Sequence, residues 1–354
     1  MRIEFEKRTL TKRVPLAISR GTSTGSENLF LRVECAPGIE GLGECAPSTG
    51  VSASFHEDIE RLLRDFVQGL ELTAPHAVYD AARQAGIPGV ALAGLDMALW
   101  DGLAKRAALP LYALLGFEKP KIATSVTIGL MPPERSAERA RELMAQYPQC
   151  ALKIKLGSPE GLDFDRAHFS AVYELARVQG VKLRVDANGG WDLAAAESML
   201  PWLAAREVEF VEQPLARGDE GALRALYAKR PLPIFIDESC QWPEDVLRFA
   251  DRVDGVCLKL MKCGGVTGAL RIIALARAQG LELMIGCMGE SSVAISAGAA
   301  LSGALDFTDL DSHLNLNPDP ARGVTLRAGI VEPPEQAGHG ASLGASIPEG
   351  KPHP

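Results

Sequence analysis

Three acidic residues, Asp186, Glu212 and Asp237, stand at or near the ends of three successive β-rich segments of this chain. If these segments are neighbouring parallel strands, their carboxyl ends lie together and the three carboxylates converge. Like charges that close require a cation, and oxygen donors without His or Cys suit Mg²⁺, with positions left for water or substrate. We therefore predict one Mg²⁺ per active site at these residues. The alternative is that each acid makes its own separate loop contact.

Three lysines accompany these acids. Lys153 and Lys155 share one face of the second β-rich segment, and Lys259 lies on the sixth, so Lys155 and Lys259 face each other across a ring of eight strands. Such a pair can remove a proton from one face of a carbon and return it to the other, while cations stabilise an enediolate. The alternative for each lysine is a salt bridge to the acids. Lys262 has the opposite parity to Lys259 and is interpreted as a structural or loop residue.

Eight short β-rich segments alternate with helical segments and must position these side chains. The β-rich segments are 123–129, 151–157, 182–188, 209–214, 234–239, 255–261, 281–288 and 307–312. Strands that alternate with helices indicate βαβ units and a parallel sheet. A doubly wound sheet is the rival, but the chain has no Gly-x-Gly-x-x-Gly after a first strand and no phosphate-binding loop motif. We predict an α/β fold with a (β/α)7β TIM-type barrel over residues 119–319.

The beginning of the chain has a different pattern. Strand-like runs on either side of a Gly/Ser/Thr-rich loop at 19–28 are followed by helical segments that lead to Gly116. This pattern predicts an α+β capping domain over residues 1–118. The Pro- and Gly-rich segment 320–354 is expected to return to that domain.

Several runs can be compared with known families. The barrel runs are Lys153-Ile154-Lys155, Val185-Asp186-Ala187-Asn188, Val211-Glu212-Gln213-Pro214, Asp237-Glu238-Ser239 and Leu258-Lys259-Leu260-Met261-Lys262-Cys263-Gly264-Gly265. The capping runs are Gly43-Glu44-Cys45-Ala46-Pro47 and Leu95-Asp96-Met97-Ala98-Leu99-Trp100-Asp101. Together, over roughly residues 1–330, they resemble the muconate-lactonizing (muconate cycloisomerase) subgroup of the enolase superfamily, in which a lysine or histidine base working with Mg²⁺ is already known.

The resemblance implies roles for these residues. It makes the three acids the Mg²⁺ ligands and makes Lys155 and Lys259 the acid/base pair. It adds Lys153 as the group that stabilises the enediolate oxygen. It also adds Asn188 and Glu238 as residues that support the metal ligands.

The eighth β-rich segment carries Asp309 and Asp311 in phase, in the barrel mouth and away from the metal. A buried acid pair without a cation is costly, so a positively charged ligand group is implied. In the dipeptide epimerases of this subgroup (L-Ala-D/L-Glu epimerase-like enzymes), a similar Asp-x-Asp holds the α-ammonium group of the substrate. The run 286–291, which contains Met288 as a substrate-binding candidate, is also similar to that family. The alternative is that the two acids cap the barrel end or meet a loop Arg or Lys.

The loop at 18–26 departs from the alanine–glutamate epimerases. Those enzymes place an arginine in this loop to meet the glutamate side chain, and the expected position aligns closer to Ser23 than to Arg20. Besides L-Ala-D/L-Glu, the resemblance therefore implies a small, polar or hydrophobic dipeptide as the substrate. Arg20 is either a substrate contact or only a loop hydrogen-bond donor.

Together these residues predict a Mg²⁺-dependent dipeptide epimerase that moves a proton at the α-carbon of the C-terminal residue through an enediolate. Within the subgroup, the alternatives are N-acylamino acid racemase, o-succinylbenzoate synthase and muconate cycloisomerase, whose anionic substrates suit Asp309 and Asp311 poorly. Outside it, a Schiff-base aldolase would use one lysine and no metal. A non-catalytic barrel would use the metal for structure alone.

The composition restricts the partners and the location. The net charge is −8 and no Lys/Arg block forms a basic face, which argues against nucleic acid. No apolar run reaches the ~18–20 residues of a membrane span, and the start of the chain has no signal-peptide pattern. The seven cysteines are scattered without a Cys-x-x-Cys pair, which argues against a disulfide framework. We expect a cytoplasmic homo-oligomer with a small-molecule dipeptide substrate.

Overall fold

The computed structural model describes residues 2–47, 52 and 54–345. It begins with an antiparallel sheet and four helices. The strands are β1 (Ile3–Ile18), β2 (Gly21–Ala36) and β3 (Ile39–Cys45), and the helices are α1 (Phe55–Phe66), α2 (Pro75–Gln84), α3 (Gly89–Arg106) and α4 (Leu111–Leu114). Helix α3 packs so closely on β3 that a Cβ at Gly41 or Gly43 would lie within 2 Å of a carbonyl oxygen of the helix. These two glycines therefore permit the contact between sheet and helix.

A barrel of eight parallel strands follows. The strands are β4 (Ser125–Ile128), β5 (Ala151–Lys155), β6 (Leu183–Asp186), β7 (Val211–Glu212), β8 (Ile234–Ile236), β9 (Gly255–Leu258), β10 (Glu282–Gly286) and β11 (Phe307–Asp309). They pair in chain order, and a parallel bridge between Thr124 and Thr308 joins the last strand to the first. The predicted TIM-type barrel with a capping sheet is confirmed.

Helices connect successive barrel strands. They are α5 (Pro133–Gln146), α6 (Leu162–Gln179), α7 (Leu193–Ala204), α8 (Leu223–Lys229), α9 (Pro243–Phe249), α10 (Leu260–Cys263), α11 (Val266–Ala278) and α12 (Ser292–Ala299). The last barrel strand is followed by a 3₁₀ turn at Ser312–Asn315, which agrees with the (β/α)7β form. The remaining short strands are β12 (Ala321–Arg322), β13 (Thr325–Arg327), β14 (Ile330–Glu332) and β15 (Ser342–Leu343).

Alternation along the barrel strands separates apolar from charged side chains. On β5, Leu152 and Ile154 pack in the main hydrophobic core, while Lys153 and Lys155 take the other face, which lines a cavity. The lower interior of the barrel is apolar. It is filled by a separate cluster of Phe210, Phe235, Cys257 and Met284, with Phe307 packed against it. The charged residues therefore lie above an apolar floor.

Two buried carboxylates join the capping region to the barrel. Asp96 of α3 accepts hydrogen bonds from the backbone N–H (2.9 Å) and the hydroxyl (2.6 Å) of Thr267 in the first turn of α11. Glu44 of β3 accepts from the N–H (2.9 Å) and hydroxyl (2.7 Å) of Ser291 and from the N–H of Ala294 (3.1 Å) in the first turn of α12. Both acids therefore satisfy helix N-termini of the barrel with side chains from the cap.

The segment after the barrel contacts the capping region. The backbone N–H of His339 donates to Asp101 of α3 at 2.9 Å, and its ring contacts the carbonyl oxygen of Leu42 at 2.8 Å. Gly338 exchanges backbone hydrogen bonds with Leu109 and Leu111. The division of the chain at residues 118 and 319 stays a prediction.

Candidate active site

The three predicted metal-binding acids lie at the carboxyl ends of adjacent strands. Asp186 ends β6, Glu212 ends β7 and Asp237 directly follows β8. Asp186 and Glu212 are register partners, and all three residues are at most 1% exposed. The structure therefore brings the three carboxylates together at the barrel mouth.

The predicted lysines contact these acids. Lys155 Nζ lies 2.6 Å from Asp186, and Lys259 Nζ lies 2.6 Å from Asp237. Their strands, β5 and β9, are four positions apart in the closed sheet, so the two ammonium groups approach the carboxylates from opposite sides. Without a metal, each lysine forms the salt bridge that the sequence left open as an alternative.

Lys153 reaches further than predicted. Its Nζ lies 2.6 Å from Glu212, 2.7 Å from Asp309 and 3.2 Å from Asp186. Burial lowers the pKa of Lys153, but the nearby carboxylates, Asp309 foremost, outweigh burial and raise it well above its ordinary value. Lys153 therefore stays charged and bridges the metal side of the mouth to the Asp-x-Asp side.

Identical burial leaves the three acids with different proton affinities. Burial would raise the pKa of Asp186, but Lys155 and Lys153 outweigh it and lower the value to about 2. Burial acts likewise on Asp237, whose pKa Lys259 and Lys262 hold well below the ordinary range. The pKa of Glu212 rises to about 7, because burial and the charge of Asp186 outweigh Lys153.

These residues fit a divalent cation. Glu212 Oε1 is fully buried and has no hydrogen-bond partner among the described residues, so one acceptor aimed into the cluster is unused. Carboxylate oxygens on three strands are the donor set that Mg²⁺ prefers. A divalent ion would also relieve the repulsion that raises the pKa of Glu212.

The contacts of two residues in this cluster were not predicted from the sequence. Lys262 Nζ donates to Asp237 Oδ1 at 2.6 Å and to the carbonyl oxygen of Cys257 at 2.9 Å, so the residue interpreted as structural or loop holds one of the predicted metal ligands. Strand parity failed there because the chain turns into α10 after Lys259. Gln213 also positions Asp237, since its Oε1 accepts the backbone N–H of Asp237 at 2.8 Å. The adjacent Glu-Gln-Pro run was visible in the sequence, but no role for the amide was predicted.

The turn between β1 and β2 is held beside the predicted metal ligands. Arg20 forms an ion pair with Glu238 at 2.6 Å and donates to the carbonyl oxygen of Asn188 at 2.7 Å. Asn188 donates from its side chain to both Glu238 and Asp186 at 3.2 Å. Among the two readings left open for Arg20, the structure gives it the hydrogen bonds of a loop donor.

The Asp-x-Asp pair is asymmetric. Asp309 accepts from the hydroxyl of Ser125 and pairs with Lys153, so the assumption that both acids lack a protein cation was wrong for Asp309. Asp311 accepts the backbone N–H of Thr127 at 2.7 Å and lies outside that ion pair. Burial and the charge of Asp309 raise the pKa of Asp311 to about 6. A cationic ligand group would therefore find its unneutralised partner in Asp311.

A cavity with a volume of about 690 Å³ opens above these residues, between β1 and the barrel mouth. Its charged lining includes Lys153, Lys155, Lys259, Asp309 and Asp311. Its apolar lining includes Val14, Leu16, Ile18, Val126, Leu143, Tyr147, Met288 and Leu314. Ser23 also lines the cavity, and its hydroxyl accepts from Lys12 Nζ at 2.6 Å. The cavity thus joins the charged side chains of the barrel mouth to the apolar side chains that β1 contributes.

Two family models match the N-terminal and the C-terminal part of the chain. Residues 3–116 match the family model of the mandelate racemase / muconate lactonizing enzyme N-terminal domain. Residues 135–346 match the model described as enolase C-terminal domain-like.

Relatives match over nearly the full length. A protein of a Flavobacteria bacterium named hydrophobic dipeptide epimerase is 53% identical over 344 residues, 97% of this chain and 98% of that protein. A protein of Roseobacter litoralis with the same name is 50% identical over 343 residues, 97% of this chain and 99% of that protein. The solved structure of a dipeptide epimerase from Enterococcus faecalis, complexed with Mg and L-Leu-L-Tyr, has a TM-score of 0.88 at 31% identity, covering 96% of this chain and 98% of that one.

Proposed function

Because the chain belongs to the mandelate racemase / muconate lactonizing enzyme family of the enolase superfamily, we propose that it is a Mg²⁺-dependent epimerase of hydrophobic dipeptides. The observation that carries this proposal is the placement of Lys155 and Lys259 on opposite sides of one carboxylate cluster. A single base would explain proton removal, but inversion needs a proton donor on the other face of the carbon. The names of the relatives agree with this activity.

Asp186, Glu212 and Asp237 would hold the metal ion. When bound, Mg²⁺ would supply positive charge beside the substrate carboxylate, where charge grows as the α-proton leaves. Lys155 Nζ pairs with Asp186 Oδ2 and Lys259 Nζ pairs with Asp237 Oδ2, and an oxygen that binds a metal ion holds an ammonium group less strongly. Metal binding by Asp186 and Asp237 would therefore weaken both ion pairs and release the lysines towards the cavity.

In the proposed reaction, one lysine in its neutral amine form takes the α-proton of the C-terminal residue. The opposite lysine, as an ammonium group, gives a proton to the other face of the same carbon. One proton is taken and one is returned, so the substrate inverts and the two lysines exchange protonation states. Lys153, which stays charged, would donate to the substrate carboxylate as its negative charge increases.

The charged and apolar side chains that line the cavity support a hydrophobic dipeptide as the substrate. The free α-ammonium group of the substrate would meet Asp311, whose charge Lys153 does not neutralise directly, with Asp309 behind it. Beyond Lys12, the residues of β1 that line the cavity are Arg13, Val14, Leu16 and Ile18, and the last three suit an apolar side chain. Arg20 lines the cavity, but it already pairs with Glu238 and donates to the carbonyl oxygen of Asn188, so an acidic side chain would have to compete with these partners.

The test follows the α-proton of L-Leu-L-Tyr in deuterium oxide by NMR. We expect exchange at the tyrosine α-carbon and appearance of the inverted isomer with Mg²⁺, and loss of both with a chelator. N-acetyl-L-Leu-L-Tyr should react at least about tenfold more slowly, because it lacks the positive charge that would meet the half-buried Asp311. Faster reaction of the acetylated compound would favour an N-acylamino acid racemase. Metal-independent activity with borohydride trapping would favour a Schiff-base aldolase.

We also infer a cytoplasmic location, because all seven cysteines are free thiols. Among the described residues, no helix has both the length and the apolar content to cross a membrane. The homo-oligomer stays a prediction that light scattering of the purified protein can test.

A further inference from the structure

A buried thiol lies against two of the predicted metal ligands. Cys257 is an inward-facing residue of β9, fully buried and packed in the apolar floor with Phe210, Phe235 and Met284. Its Sγ and one carboxylate oxygen each from Glu212 and Asp237 all lie within 4.8 Å of one another. No role for Cys257 was predicted from the sequence.

Two side chains of this cluster, Glu212 and Cys257, each have an atom that could bind a metal ion and that makes no strong hydrogen bond. Glu212 Oε1 is buried and accepts no hydrogen bond from the described residues. Cys257 is a free thiol whose recorded hydrogen bond is a weak contact of 3.9 Å to the carbonyl oxygen of Leu258. A carboxylate oxygen of Glu212 and the sulfur of Cys257 could therefore both act as metal ligands, beside the ionised carboxylate of Asp237.

This donor set differs from the one Mg²⁺ prefers. Mg²⁺ is a hard ion that takes oxygen ligands, whereas thiolate sulfur selects Zn²⁺ and similar soft ions. A site with one sulfur and two carboxylate oxygens matches the ligand types and the number of protein ligands that Zn²⁺ accepts. Ligand atoms spaced within 4.8 Å need only small side-chain movements to meet a common ion.

We propose that Glu212, Asp237 and Cys257 form a binding site for a thiophilic divalent ion such as Zn²⁺ or Cd²⁺, which competes with Mg²⁺ for the two carboxylates. On binding, the thiol proton passes to the solvent buffer and a sulfur–metal bond forms, with no change in oxidation state. The site of the competing ion lies on the floor side of the cluster, because Lys259 lines the cavity and Cys257 does not. An ion bound on the floor side would lie farther from the cavity, and therefore farther from the substrate.

Because the soft ion would displace Mg²⁺, it would inhibit the proposed epimerase activity. That consequence rests on the proposed Mg²⁺-dependent function, but binding of the soft ion does not. The test therefore measures binding and not activity, so that its failure is distinguishable from failure of the proposed function.

Cd²⁺ is titrated into the metal-free protein, and the ultraviolet thiolate-to-cadmium charge-transfer band is followed together with calorimetry. The wild type should give one such band per chain, and Cys257→Ser should lose the band and at least tenfold in Cd²⁺ affinity. The matched control is Cys287→Ser, because Cys287 is the thiol that lines the cavity and should not matter. A band that survives in Cys257→Ser, or disappears in Cys287→Ser, overturns the proposal.

Competition with Mg²⁺ supplies a second measurement on the unaltered protein. Saturating Mg²⁺ should weaken Cd²⁺ binding at least tenfold, because both ions need Glu212 and Asp237. If calorimetry shows that Mg²⁺ binds to the protein but the Cd²⁺ affinity is unchanged, the soft ion binds elsewhere and the proposal is wrong, whereas absence of Mg²⁺ binding contradicts the proposed function instead. This arm keeps the test decisive even if Cys257→Ser does not fold.

Discussion

Buried carboxylates occur in two regions of this molecule, the barrel mouth and the junction between cap and barrel. At the mouth, Asp186 and Asp237 each face a lysine ammonium group at 2.6 Å. At the junction, Glu44 and Asp96 are met by backbone N–H groups and hydroxyls. All four residues are at most 1% exposed. Burial is therefore the same in both regions, and only the partners differ.

The partners decide the charge state. Burial raises the pKa of Asp96 to about 7, since the Thr267 hydrogen bonds do not offset it. Equal burial at Asp186 leaves a pKa of about 2, because two lysines outweigh it. Asp186 and Asp237 at the mouth are thus ionised at neutral pH and paired with ammonium groups that a metal cation can replace. The junction acids are held by neutral donors that fix the cap on the barrel.

The largest effect is expected for the lysines of the mouth. Lys155→Ala and Lys259→Ala should each reduce epimerisation by at least ~10²–10⁴-fold, because each removes the proton carrier on one face. Each variant should still exchange the α-proton of one stereoisomer, and the two variants should prefer opposite isomers. NMR in deuterium oxide with each isomer measures this.

The control for the lysine variants is Lys105→Ala, which removes a partly exposed lysine that pairs with Asp101 at the junction. It should keep full activity. Normal epimerisation in Lys155→Ala or Lys259→Ala would contradict the two-base assignment and leave the lysines as structural salt bridges.

The next effect concerns metal affinity. Glu212→Gln keeps the shape but removes one ligand charge, so Mg²⁺ affinity should fall about a hundredfold or more, as for the loss of one partner of a buried ion pair. The metal-free variant should unfold at the same temperature as the wild type or higher, because the substitution removes repulsion with Asp186. Calorimetry and thermal unfolding check both. Unchanged Mg²⁺ affinity would remove Glu212 from the proposed ligand set.

Strand parity explains why much of the mouth could be predicted. Parallel barrel strands alternate inward and outward, so the phase of Lys153, Lys155, Asp186 and Lys259 along the chain was enough to place them inside the barrel. The spacing of the segments was enough to set Lys155 and Lys259 four strands apart. These conclusions needed no knowledge of side-chain contacts.

Contacts made away from strand positions could not be predicted in this way. Lys262 reaches Asp237 from α10, where strand parity no longer applies. Lys153 on β5 is long enough to contact Asp309 on β11, two strands away in the closed sheet. Strand parity predicts which face a side chain takes, but not how far the side chain extends. The ion pair of Arg20 with Glu238 depends on how β1 crosses the mouth, which follows from packing of the cap.

A smaller effect is expected at the junction. Glu44→Gln replaces an acceptor by an N–H₂ group that faces the donors of the α12 N-terminus, leaving about one buried group unsatisfied. The free energy of unfolding should fall by ~1–3 kcal/mol. Mg²⁺ affinity should stay within about twofold of the wild type, since the partners of Glu44 are not metal ligands. A large loss of Mg²⁺ affinity in this variant would mean that the two regions are not independent.

The smallest effect is a change in how stability depends on pH. The folded-state pKa of Asp96 is raised to about 7, above its unfolded value, so its contribution to stability is complete below about pH 4 and is lost as the pH rises towards 7. Asp96→Asn is neutral at every pH and has no such loss. The unfolding free energy of the variant minus that of the wild type should therefore increase between pH 5 and pH 7, by at most about 1.4 kcal/mol per pH unit. Urea unfolding of both proteins at each pH measures this difference, in which the titration of the mouth acids cancels. A difference that is constant or decreases over this range would show that Asp96 is ionised in the folded protein, and the contrast between the two sets of carboxylates would then not hold at Asp96.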